Sequence, residues 1–219
     1  MSAKAATSKR GNKPVADVTT ISLAQAEPGW VLRLEDANGG FSDEQFAQFC
    51  AANPDLRVEM TKEGEMIIMM PMFPTGGNRE FELGAQFGAW VRATRTGLGF
   101  SPSTTFTLPN GAKRSPDVAW ISLARWEALT EAQKNSFTRI CPDFVVELRS
   151  QTDRLKPLQA KLEEYIENGA QLGWLLDPLE KKVHVYRPGA PVEILDNPSE
   201  VAGEPLLPGF VLKLAGIID

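Results

Sequence analysis

The chain has 219 residues, 42% of them hydrophobic and 23% charged, enough for one substantial globular domain with short extensions. Its formal net charge of −5 argues against a generic nucleic-acid coating protein, yet an acidic body can carry a local basic groove. Apolar runs such as Met66 to Met70 are far shorter than the roughly 20 residues of a membrane helix. The N-terminus lacks the apolar segment of a signal peptide, and Cys50 and Cys141 show no paired spacing. A cytoplasmic location without membrane association, and two free thiols, are therefore expected.

Residues 1–20, rich in Ala, Ser, Thr and Lys, have no hydrophobic period and read as a disordered basic arm. A single domain is expected over 21–219, with its core at about 40–190 and short strands in 191–219. Ser42-Asp43-Glu44-Gln45 has the pattern of a capping box and predicts a helix from Asp43 to about Ala52, stopped before Pro54. Leu56 to Met60 alternates, Lys62-Glu63-Gly64 turns, and Met66 to Met70 returns as the second strand of a hairpin. After a Gly76-Gly77 loop, Leu83, Phe87, Trp90 and Val91 recur at helical spacing and predict a helix from about Asn78 to Thr94.

Extended segments follow at Gly99 to Ser101 and at Thr104 to Leu108, the second ended by Pro109-Asn110-Gly111. A strand, Asp117 to Ile121, leads into a helical stretch containing Trp126 and Leu129. The strand Phe144 to Leu148 precedes a helix capped at or near Asp153, with Leu155, Leu158, Leu162, Tyr165 and Ile166 on one face and Gly169 at its end. Leu172 to Leu176, a turn over Asp177 to Glu180, and Val183 to Tyr186 read as two more strands. The fold class is mixed α/β, a central mixed sheet flanked by helices, and the crossover from the Glu147 strand to the Leu172 strand makes part of that sheet parallel.

Two carboxylates stand out by position. Asp117 opens a strand after Pro116, and Glu147 lies inside an apolar strand, where a charge is costly unless paired or bound to a cation. If the two strands are neighbours, both can converge on one ion, and oxygen ligands suit Mg²⁺ or Mn²⁺. Strand alternation puts Arg149 on the face of Glu147, and Lys161 follows on the next helix one turn before Tyr165. An arginine cannot act as a base, so Arg149 is assigned a phosphate contact and Lys161 the orientation of water. Spacing alone leaves metal binding and a structural ion pair both open. His184 is expected to face solvent on its strand, the tryptophans and methionines to pack in the core, and Lys113-Arg114 is a further candidate for phosphate contact.

Pro116-Asp117, Pro142-Asp143-Phe144-Val145-Val146-Glu147-Leu148-Arg149-Ser150, Lys161, Tyr165, Gly169, Trp174 and Asp177-Pro178 together resemble the Uma-two family of putative restriction endonucleases, within the PD-(D/E)XK nuclease superfamily. The Glu59 strand, the Pro74-Thr75-Gly76-Gly77-Asn78 loop and Leu207-Pro208-Gly209-Phe210 belong to the same resemblance. It implies a restriction-endonuclease-like fold, Mg²⁺ at Asp117 and Glu147, DNA as partner, and a homodimer as a family-style expectation. It also implies Glu59 as a supplementary metal ligand, against an exposed cross-strand pair with Arg57 or Lys62. The superfamily's lysine stands two residues after the glutamate, where this chain has Arg149, so the role passes to Lys161 if catalysis is kept. The expected function is Mg²⁺-dependent hydrolysis of DNA phosphodiesters. The alternatives are an interaction module that has lost turnover and a Mg²⁺-dependent hydrolase of RNA or nucleotides. Glu80 and Glu82 are further acidic candidates, read first as solvated helix-surface residues.

Overall fold

The computed structural model describes residues 32–34, 40–69 and 71–219. The basic arm expected at 1–20, the start of the fold near Ile21 and the end of the hairpin at Met70 lie outside the described residues. In chain order the elements are β1 (Leu32–Leu34), α1 (Asp43–Ala52), β2 (Arg57–Met60), β3 (Met66–Met69), α2 (Pro74–Thr94), β4 (Gly97–Phe100), β5 (Phe106–Thr107), β6 (Lys113–Arg114) and β7 (Val118–Ser122). They continue with α3 (Leu123–Glu127), α4 (Glu131–Lys134), β8 (Phe144–Leu148), α5 (Leu155–Glu167), β9 (Leu172–Asp177), β10 (Lys182–Tyr186), β11 (Glu193–Asp196), β12 (Glu200–Ala202) and β13 (Val211–Lys213).

A six-stranded sheet in the order β11-β10-β9-β8-β7-β4 stands beside a five-stranded antiparallel sheet, β1-β3-β2-β6-β5, and a β12-β13 ribbon. The larger sheet is mixed. β8 and β9 run parallel, Phe144 level with Leu172 and Leu148 with Leu176, because α5 carries the chain back between them. The other pairings in that sheet are antiparallel.

Alternation along β8 divides the core. Phe144, Val146 and Leu148 pack with Leu83 and Phe87 of α2, Trp174 of β9 and Phe210, Leu212 and Ile217 near the C-terminus. Val145 points the other way, onto Leu162 and Tyr165 of α5 and Leu175 of β9. Glu147 shares that second direction. A charged side chain is thereby aimed at the α5 face of an otherwise apolar sheet.

The local signals explain most boundaries. Ser42 accepts from the Gln45 N–H and the Gln45 side chain returns to the Ser42 N–H, a complete capping box for α1. Gly169, at φ +112, ends α5 in a conformation that a side chain would strain. One expectation needs correcting. Gly76-Gly77 is no loop: α2 begins four residues earlier than expected, with Pro74 at its first turn, and Met72 fills the space a Gly76 Cβ would need. The cap expected at or near Asp153 falls on the next residue, Arg154, without a side-chain bond, and the Asp153 carboxylate instead accepts from the Ser150 N–H at 2.8 Å and closes the preceding turn. No described helix is long and apolar enough to cross a membrane.

Candidate active site

Asp117 reaches Glu147 through strand register. β7 and β8 pair Ala119 with Val145 and Val118 with Val146, and one more step sets Asp117 across from Glu147 on the α5 face. The Asp117 Oδ2 accepts the Leu148 N–H at 2.7 Å, which locks the carboxylate against β8. Glu147 is 4% exposed. Burial raises its carboxyl, and the Asp117 and Glu59 charges add to that effect against the pull of Lys161. Asp117 is pushed up to about 6, first by burial and further by Glu80, against the Leu148 N–H, Lys161 and Arg57.

The positive charge comes from α5. Lys161 and Tyr165, one turn apart, share the helix face that covers β8. The Lys161 Nζ lies 2.8 Å from Glu147 Oε1 and 2.8 Å from Glu59 Oε1, and the Tyr165 hydroxyl donates to Glu147 Oε1 at 3.2 Å. Glu59 comes from β2, in the other sheet. Its Oε1 also accepts the Ser115 N–H at 2.8 Å, and its Oε2 lies 3.3 Å from Arg114 Nη1. Arg114 in turn donates from Nε to Glu164 at 2.6 Å. Burial acts to raise the Glu59 carboxyl, but Lys161 and Arg114 outweigh it and hold the group below its ordinary value. Burial would lower the Lys161 ammonium; Glu147 and Glu59 reverse this and keep it firmly protonated. The exposed pair with Arg57 or Lys62 considered for Glu59 is thus replaced by a buried one.

Arg149 is not part of this arrangement. Its Nη1 bonds Asp177 Oδ2 at 2.7 Å and lies 3.7 Å from Glu180, while its Nε donates to the Asp153 carbonyl at 3.3 Å. It leaves β8 at the strand end and ties that end to the β9–β10 turn. Lys113 is corrected: it is 1% exposed, 3.0 Å from Asp43, hydrogen-bonded to Thr107 at 3.1 Å and set over the Phe46 ring. His184, expected in solvent, is 3% exposed, and neither ring nitrogen has a partner among the described residues. Glu80 is partly buried beside Arg57, and burial raises its carboxyl.

Arg57 was passed over in the sequence. Its Nη2 lies 3.9 Å from Asp117 Oδ1 and donates to the Pro102 carbonyl at 3.0 Å. The signal for it was available: residues 57 and 59 of one strand point to one face.

The donor set fits a hard divalent cation. Glu147 and Asp117 are bonded through Oε1 and Oδ2, which leaves Oε2 and Oδ1 without a hydrogen bond among the described residues. Both carboxyls are made reluctant to ionise by burial, with Asp117 and Glu59 adding to it at Glu147 and Glu80 at Asp117, and a cation would relieve these effects. Among the described residues no three His, Cys, Asp or Glu side chains gather closely enough to hold a metal together. A cleft lined by Met72, Phe73, Arg79, Leu148, Arg149 and Ser150 opens beside the end of β8.

Residues 43–215 match the family model Uma2, described as putative restriction endonuclease. The fold is similar to the crystal structure of a putative nuclease belonging to DUF820 from Anabaena variabilis ATCC 29413, with a TM-score of 0.62 and 21% identity over 74% of this chain and 89% of that one. At that identity the likeness shows a shared nuclease fold. No curated protein matches the chain.

Proposed function

The chain belongs to the Uma2 family of putative restriction endonucleases, and from that premise we propose that it is a metal-dependent endonuclease hydrolysing phosphodiester bonds in DNA. The observation that carries this reading is the pair of carboxylates set across from each other, buried Glu147 and half-buried Asp117, with the Lys161 ammonium 2.8 Å from Glu147.

Asp117 and Glu147 would hold Mg²⁺ or Mn²⁺ through their unbonded oxygens. Such an ion, when bound, lowers the pKa of its water and offsets charge on the phosphate. Lys161 has three N–H donors, of which Glu147 and Glu59 engage two; the third is left for the attacking water or a phosphate oxygen. Being protonated, it orients and does not deprotonate. Glu59, held by Ser115 and Arg114, fixes the ammonium rather than the metal, because its own oxygens are already engaged. Tyr165 fixes the Glu147 carboxylate in turn. Lys161 thereby supplies from α5 the cation that the superfamily keeps two residues beyond the glutamate.

Nicking of supercoiled plasmid in Mn²⁺ tests the proposal. Asp117→Ala and Glu147→Ala should abolish it, and Lys161→Met should lower kcat by roughly 10²–10³-fold. Nicking that survives Glu147→Ala belongs to a contaminant and sinks the reading. The engagement of Arg149 by Asp177 favours a second reading, a nuclease-fold interaction module without turnover; silence in every metal on plasmid, single-stranded RNA and a chromogenic phosphodiester would promote it.

A further inference from the structure

We infer that Arg57 is a phosphate-contacting residue of this site, whereas Arg149 is engaged by Asp177. The inference rests on the nuclease reading above and adds a residue to it.

The geometry begins on β2. Arg57 and Glu59 are two residues apart on a strand, so both side chains leave the same face, and Glu59 is the residue that grips Lys161. The Arg57 guanidinium therefore stands along the strand from that ammonium and 3.9 Å from the unbonded Asp117 Oδ1, close enough for attraction and too far for a hydrogen bond. It is anchored at one corner: Nη2 donates to the Pro102 carbonyl at 3.0 Å. Its Nε is buried and has no hydrogen-bond partner among the described residues. A buried donor left unpaired is unfavourable, and native folds seldom keep one without a use. The side chain as a whole stays 34% exposed although its Nε is buried, so part of it is within reach of an incoming molecule.

Three other cations at the site, Lys161, Arg114 and Arg149, are each paired with carboxylates. Lys161 has Glu59 and Glu147, Arg114 has Glu59 and Glu164, and Arg149 has Asp177 with Glu180 beyond it. Arg57 has no carboxylate within hydrogen-bonding distance among the described residues, and a planar fork of donors matches two oxygens of one phosphate. Hydrolysis bonds the water oxygen to phosphorus and breaks the P–O ester bond; the water proton passes to solvent and the leaving alkoxide takes one up. Negative charge grows on the non-bridging oxygens on the way. A guanidinium beside Asp117 meets that charge and is always available in the protonated form.

The test compares the full chain with Arg57→Gln, Arg57→Lys, Arg57→Ala and Arg149→Gln. Three quantities are read: kcat for plasmid nicking in Mn²⁺, Mn²⁺ affinity by calorimetry, and affinity for a fluorescent oligonucleotide in Ca²⁺. Arg57→Gln should lower kcat roughly 10²–10³-fold with Mn²⁺ affinity unchanged, and Arg57→Lys should recover part of the loss. Millimolar guanidinium ion should restore turnover to Arg57→Ala, which a packing defect would not permit. Arg149→Gln should stay within a few-fold of the parent. Arg57→Gln turning over within threefold of the parent, or losing its Mn²⁺ affinity, overturns the inference. If the parent protein cleaves nothing, the oligonucleotide arm decides: at least fivefold weaker binding by Arg57→Gln upholds the contact while the catalytic reading falls, and equal or absent binding overturns both.

Discussion

Asp117 ionises late in the folded protein, with its carboxyl pushed up to about 6. An unfolded aspartate releases its proton near pH 4, so the folded state carries a penalty that is absent below that pH, grows as pH rises, and is complete above about 6. Asparagine keeps the oxygen that accepts the Leu148 N–H and removes the charge. Asp117→Asn should therefore be more stable than the parent by about 2–3 kcal/mol at pH 8 in EDTA, with the difference closing below pH 4; urea titrations at both pH values measure it. His184 works with the opposite sign. Burial holds its imidazole below the ordinary value, so the unfolded chain takes up a proton first, and stability present above about pH 6.5 is lost as pH falls. His184→Leu also removes two buried nitrogens without partners, and its thermal midpoint should fall less than the parent's between pH 7.5 and pH 5.

At the level of elements, α5 sits low on the sheet because Gly173 of β9 leaves room for it. A Cβ there would lie 2.8 Å from Leu162 Cδ1, and Leu162 is the neighbour of Lys161. Gly173→Val should destabilise the fold by about 1–3 kcal/mol through overpacking and shift Lys161 off Glu147, lowering nicking more than the stability loss accounts for at 20 °C; denaturation and turnover measured on one preparation separate the two effects. The same helix shows what a sequence makes legible. α1 and β8 could be bounded to the residue, because a capping box and a five-residue apolar run act within one element. The facing of Asp117 and Glu147 followed from alternation once their strands were taken as neighbours. The start of α2 was hidden, since two glycines break a helix on propensity alone and tertiary contact, here Met72 over Gly76, overrides propensity. The bond between Glu59 and Lys161 was hidden for a different reason: it joins distant segments, and no local pattern encodes which buried acid a helix lysine will meet. The pairing of Arg149 with Asp177 was hidden too, because Arg149 stands where the strand has already ended and its partner lies at the end of β9.

Over the whole molecule a net charge of −5 opposes a polyanion, and attraction must come from a few cations near the site. With two or three phosphate contacts, oligonucleotide affinity in Ca²⁺ should fall only roughly 10- to 40-fold between 50 and 200 mM salt. A fall of a thousandfold would reveal an extended basic track that the proposed site does not include. The centre also depends on the body as a whole. Glu59 is carried by one sheet, Asp117 and Glu147 by the other, and the Lys161 ammonium from α5 is drawn between them. The larger sheet with α5 brings Asp117, Glu147 and Lys161, and the smaller one brings Glu59 and Arg57, so a chain that has built the first and not yet docked the second lacks the acid that grips the ammonium. Under the proposed function, the capacity to cut is therefore complete only in the finished fold.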